Sequence, residues 1–136
     1  MIFVLDASAV VEHLLRSPVG VRVQALLGDA DLLAPELLDA EVLAVLRREV
    51  SSGRLDAARA SEVVDDLRDW GIERLPHRPL LRNAWSLRGH VTAYDALYVA
   101  AARARSADLV TADGPLSRAP GLGIVVHNVR LPSPPE

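Results

Sequence analysis

Short apolar runs alternate with longer stretches of helical period along this chain. Ile2-Phe3-Val4-Leu5 is a continuous apolar run ending at Asp6, the pattern of a strand buried on both faces of a parallel sheet. Asp31 to Ala34, Ile72 to Leu75, Ala107 to Thr111 and Gly123 to Val129 read the same way, the last two centred on Leu109-Val110 and Ile124-Val125-Val126. Between them the apolar spacing predicts helices over Ala9 to Leu15, Val21 to Leu27, Leu37 to Ser51, Leu55 to Trp70, Leu80 to Leu87 and Ala93 to Arg105. Ala60, Val63, Val64 and Leu67 follow the i, i+3, i+4, i+7 rule, as do Tyr94, Leu97, Tyr98, Ala101 and Ala102, so each set is expected to face inward. Gly53 and Gly71 stand where helix ends favour glycine.

Strands that alternate with helices of this length need crossover connections, which build a parallel sheet covered on both sides. The expected fold is therefore α/β, a three-layer α/β/α sandwich with a short parallel sheet. A chain of 136 residues suits one core, so a single domain is expected over residues 1–131, with an extended proline-rich tail at 132–136.

Composition narrows the chemistry by subtraction. No cysteine is present, which removes disulfides, thiolate nucleophiles and cysteine-held zinc. All 15 basic residues are arginine, which removes the lysine of a phosphate-binding loop and any Schiff base. A net charge of -3 argues against a protein that coats nucleic acid through excess basic charge, while leaving room for a local arginine patch. No apolar window is long enough to span a membrane, and Met1 to Leu5 has no basic region of a signal peptide, so the chain is expected in the cytoplasm. Carboxylates, histidines and hydroxyls remain as reactive groups.

In an open parallel sheet, ligands bind beyond the carboxyl ends of the strands. Asp6 follows the first strand directly, and Asp113 follows Leu109-Val110-Thr111 after one residue, so both are expected on the same rim. Two more acids sit near helix starts. Glu41 has the apolar helical neighbours Leu37, Leu38, Ala44 and Val45, and Asp95 faces Tyr98 and Val99, whereas Asp65 lies among Ser61, Glu62, Arg68 and Asp69 on an ordinary wet face. Each of the four also has a structural reading, a specific one for three of them: Asp6 as a cap of the helix beginning at Ala9, Asp113 as a turn former with Gly114-Pro115, and Asp95 as the last member of a cap begun by Thr92. Helices that follow parallel strands open towards the same rim, so the four can converge. At about 5 Å and an effective dielectric near 20, each pair of carboxylates repels by on the order of 3 kcal/mol, which calls for a cation or bound protons. Oxygen donors without nearby cysteine or histidine favour Mg²⁺ or Mn²⁺.

Asp6-Ala7-Ser8-Ala9, Glu41 within Leu38-Asp39-Ala40-Glu41-Val42, Asp95-Ala96-Leu97-Tyr98-Val99-Ala100 and Leu109-Val110-Thr111-Ala112-Asp113 resemble, in order and spacing, the PIN-domain ribonucleases, and most closely the VapC toxins of VapBC toxin–antitoxin modules. The resemblance runs from Ile2 to Val129 and rests on the ordered set rather than on any single motif. It implies a Mg²⁺-dependent endoribonuclease, with Mn²⁺ as the alternative ion, and Asp6, Glu41, Asp95 and Asp113 as metal-holding catalytic acids. Ser8 and Thr111 occupy positions where the family carries supporting hydroxyls. Some members carry a further acid soon after the fourth; here Gly114, Pro115, Leu116 and Ser117 offer none. Water activated by the cation would attack a phosphodiester in line and leave 5′-phosphate and 3′-hydroxyl ends. The implied partners are transfer or ribosomal RNA, a cognate VapB-like antitoxin and a second copy of the chain in a homodimer, with no membrane.

Two other functions fit the same chain. A non-catalytic PIN-like binding module would keep the fold and bind no metal, and a structure-specific DNA nuclease would share the acids but needs insertions for which this length has no room. The arginines Arg47, Arg48, Arg78, Arg82 and Arg88 are candidate phosphate contacts, and His13, His77, His90 and His127 show no ligand spacing and receive no role.

Overall fold

The computed structural model describes residues 1–131, so the tail expected at 132–136 lies outside the described residues. β1 (Ile2–Leu5), β2 (Asp31–Pro35), β3 (Ile72–Leu75), β4 (Asp108–Thr111) and β5 (Val126–Asn128) form one parallel sheet in the order β3-β2-β1-β4-β5. β1 sits at its centre, with Val4 opposite Leu33 of β2 and Leu109 of β4. All three of those residues are buried, as continuous apolar runs in a covered sheet require.

The connecting helices are α1 (Ala7–Leu14), α2 (Pro18–Leu27), α3 (Leu37–Ser51), α4 (Ala57–Asp69), α5 (Leu81–Ser86), α6 (Ala93–Arg105) and α7 (Gly114–Arg118). The chain moves from β1 through β2 to β3 in one direction and then returns across the sheet to β4 and β5. Right-handed crossovers therefore put α1 to α4 on one face and α5 to α7 on the other, giving the three expected layers. The direction reverses at β1, so the crevice between the ends of β1 and β4 is the switch point of the sheet.

Several expected boundaries move for local reasons. The helix expected from Leu80 is preceded by a 3₁₀ turn at Arg78–Leu80, with Pro79 in its first turn, where the missing N–H costs no helical bond. The expected strand from Gly123 shortens to Val126–Asn128, since Gly121 and Gly123 have φ of 73° and 71°, far from strand geometry. Val64 and Tyr94, expected to face inward, are exposed: Val64 lies just beside the buried stripe Ala60-Val63-Leu67, and Tyr94 starts α6 beyond the strand ends. Asp113 does more than shape a turn, since it is the N-cap residue of the unexpected helix α7.

Arginine takes over structural work in this lysine-free chain. Arg74 pairs with Asp39 and also donates to the carbonyls of Leu67 and Ile72, and Arg103 donates to those of Gly121 and Leu122. A guanidinium has five donors in a fixed fork, so one side chain ties several segments together.

Candidate functional site

The site begins where β1 ends. The Asp6 amide still bonds the Val110 carbonyl, completing the ladder to β4, and its side chain then turns to cap α1. Asp6 is buried, and its carboxylate has three donors: the Ser8 hydroxyl at 2.7 Å and the Ala9 amide at 3.0 Å on Oδ1, and the Thr111 hydroxyl on Oδ2. Ser8 and Thr111 each do a second job. Ser8 Oγ accepts the Ala112 amide and Thr111 Oγ1 accepts the Asp113 amide, both at 2.9 Å, so the two hydroxyls lock the segment leading to Asp113 onto Asp6.

Burial nevertheless dominates, pushing the Asp6 carboxyl up to about 6 against the bonds from Thr111, Ser8 and Ala9, with the Asp95 charge adding to the rise. Asp95 lies in the first turn of α6, where Thr92 caps the helix by accepting the Asp95 amide at 3.1 Å. Its carboxyl is also raised, first by burial and then by the charges of Asp113 and Glu41. Glu41, one turn into α3, accepts the Tyr98 hydroxyl at 2.6 Å, and burial together with Glu41 holds that phenol's proton far more tightly than usual. The four sequence-predicted acids thus meet at one rim, and Ser8 and Thr111 stand beside them.

What the four acids lack is a counter-charge. Among the described residues, none of Asp6, Glu41, Asp95 and Asp113 pairs with an arginine, while Glu12, Asp39, Glu49, Glu62, Asp65, Asp69 and Glu73 all do. Among the described residues, no three His, Asp or Glu side chains stand close enough together, as placed, to hold a metal ion. The carboxylates are close enough to perturb one another, Asp95 feeling the charges of Asp113 and Glu41 and raising Asp6 in turn.

Thr111→Val tests the hydroxyl lattice. The variant keeps the buried shape but strips one donor from Asp6 and one acceptor from the Asp113 amide, at about 1–3 kcal/mol. Because that donor favours the ionised carboxylate, the loss measured by urea unfolding is larger near pH 8 than near pH 5. An equal loss at both pH values would mean that Thr111 serves packing alone.

Two contributors were not legible as such in the sequence. Tyr98 reads there as one more apolar-stripe residue, and only the general need of a buried phenol for a partner hints at its bond to Glu41. His77, given no role from sequence, accepts the Leu37 amide at 2.9 Å and so caps α3, the helix that carries Glu41. No sequence signal links positions forty residues apart.

Comparison with known proteins accords with this geometry. The PIN domain family matches residues 3–122. Ribonuclease VapC1 of Mycobacterium tuberculosis is 42% identical over 129 residues, covering 93% of this chain and 97% of the relative. The chain belongs to the PIN-domain family, among its VapC ribonucleases. Solved structures share its fold: PAE2754 from Pyrobaculum aerophilum superposes with a TM-score of 0.64 at 27% identity, covering 93% of this chain and 83% of that one. VapBC2 from Rickettsia felis, bound to a DNA fragment from its promoter, gives 0.64 at 19% identity, with coverage of 93% and 98%. On this PIN domain, Arg47, Arg48, Arg78, Arg82 and Arg88 are engaged in no ion pair among the described residues, and Arg88 stacks 4.8 Å above the Trp85 ring.

Proposed function

We propose that the chain is a divalent-metal-dependent endoribonuclease, the toxin of a VapBC-type module, with Asp6, Glu41, Asp95 and Asp113 holding the cation. The observation that carries this reading is four acids drawn from four separate segments to the switch point of the sheet, none of them paired with a guanidinium among the described residues. Kinship with VapC ribonucleases across nearly the whole chain supports the activity.

The donor set fits Mg²⁺ or Mn²⁺, because every candidate ligand is a carboxylate oxygen. Three donors occupy Asp6, which leaves roughly one of its four lone-pair directions open. Such a cation, when bound, supplies positive charge for the phosphate and eases deprotonation of the attacking water. The chain's own residues do the rest. Ser8 and Thr111 keep Asp6 and the Asp113 segment in one orientation, and the Thr92 cap fixes the first turn of α6 and so Asp95. Arg47, Arg48, Arg78, Arg82 and Arg88, in no ion pair among the described residues, are the candidate phosphate handles for a transfer or ribosomal RNA. A VapB-like antitoxin and a second copy of the chain complete the set of partners.

The test incubates antitoxin-free protein with total cellular RNA in Mg²⁺, in Mn²⁺ and in chelator, beside Asp95→Asn, and maps new 5′ ends. Discrete 5′-phosphate cuts that need metal and vanish in the variant are expected. Folded protein that cuts under none of these conditions, or a variant that cuts like the wild type, would overturn the reading in favour of a binding module.

A further inference from the structure

Tyr98 is the largest of the fully buried side chains, 1% exposed in the core. A phenylalanine would fill that space without bringing a polar group into it, so the hydroxyl calls for a reason. It donates to Glu41 Oε1 at 2.6 Å, the length of a bond to a charged carboxylate, and joins α6 to α3 on the opposite face of the sheet. On α6 it stands one turn after Asp95, and its oxygen is near enough to Asp6 and the Ala7 amide to feel both. One phenol is therefore in register with the carriers of three acids. Glu41 has no other hydrogen-bond partner among the described residues, and its three rotatable bonds leave its carboxylate otherwise unfixed.

We propose that Tyr98 is a positioning residue for the carboxylate site: its hydroxyl fixes Glu41 beside Asp6 and Asp95 and so sets how tightly the site holds a divalent cation. This rests on the metal-holding reading of the four acids. The phenol spends one lone pair of Oε1 and leaves Oε2 whole, so it orients the carboxylate without neutralising it. Outer partners of this kind tune a metal site through the ligand they touch.

The test measures Mn²⁺ affinity of the whole chain by electron paramagnetic resonance for the wild type, Tyr98→Phe, Glu41→Gln and the double variant. Tyr98→Phe is expected to weaken binding about 10–100-fold, Glu41→Gln at least as much, and the double variant no more than Glu41→Gln alone. A Tyr98→Phe protein that binds like the wild type, or a double variant that loses both factors independently, overturns the positioning role while leaving the four-acid reading intact. A wild type that binds no Mn²⁺ overturns both. Should Tyr98→Phe fail to fold, Tyr94→Phe protein made with fluorotyrosine reports Tyr98 alone by fluorine NMR, since the chain has 2 tyrosines. Mg²⁺ is expected to shift that resonance, and a resonance unmoved in protein saturated with Mg²⁺ overturns the proposal.

Discussion

Asp6→Asn abolishes metal-dependent RNA cleavage and, in metal-free buffer at neutral pH, yields a protein harder to unfold than the wild type. On the proposed role of Asp6 in holding the cation, its loss removes several kcal/mol of charge stabilisation from the transition state, on the order of 10³-fold in rate. The gain in stability follows from proton linkage. The folded-state value of about 6 lies above the ordinary 3.8, so the folded protein holds this proton more tightly than the unfolded chain. That contribution is present below the unfolded value and is lost as pH rises through the folded one, costing on the order of 3 kcal/mol by neutral pH. Asparagine carries no charge to desolvate, keeps the Oδ1 acceptor used by Ser8 and Ala9, and can donate to Thr111. Urea unfolding without metal is expected to favour the variant more near pH 8 than near pH 5, and Mg²⁺ narrows the gap by stabilising only the wild type. A variant that unfolds earlier than the wild type near pH 8 would make Asp6 a structural cap first.

Gly20→Ala is expected to cost about 3 kcal/mol or more, although alanine is the better helix former by about 1 kcal/mol. A Cβ at position 20 would stand 2.0 Å from the Glu12 carbonyl oxygen and 2.9 Å from the His13 Cα, both backbone atoms of α1. No side chain can swing aside there; the two helices must part. α1 starts at the Asp6 cap, so their separation also disturbs the segment carrying Ser8. The midpoint of urea unfolding measures the effect. A loss of less than about 1 kcal/mol would mean that α2 slides on α1 without strain.

Much of the site was legible before any coordinates. Asp6 and Asp113 were readable because each follows a short apolar run of the kind a covered strand shows, and ligand sites in such sheets lie at the strand ends. Glu41 stood out against its apolar neighbours, and α3 and α6 took their expected bounds, Leu37–Ser51 and Ala93–Arg105. Helix α7 escaped notice because five residues starting with Gly114-Pro115 read equally well as a turn.

Local pattern by itself indicated the alternation of strands and helices, the layered fold and the four candidate acids, because periodicity and strand-end position are properties of neighbours in the chain. Only the tertiary structure decided how those acids are held. The bonds from Thr111 to Asp6, from Tyr98 to Glu41 and from the Leu37 amide to His77 join residues 105, 57 and 40 positions apart, and the helix contact at Gly20 depends on how two segments cross. Such pairings arise when the chain closes its loops around a common core. Burial does the remainder, since the proton affinity of Asp6 comes chiefly from the water its neighbours exclude.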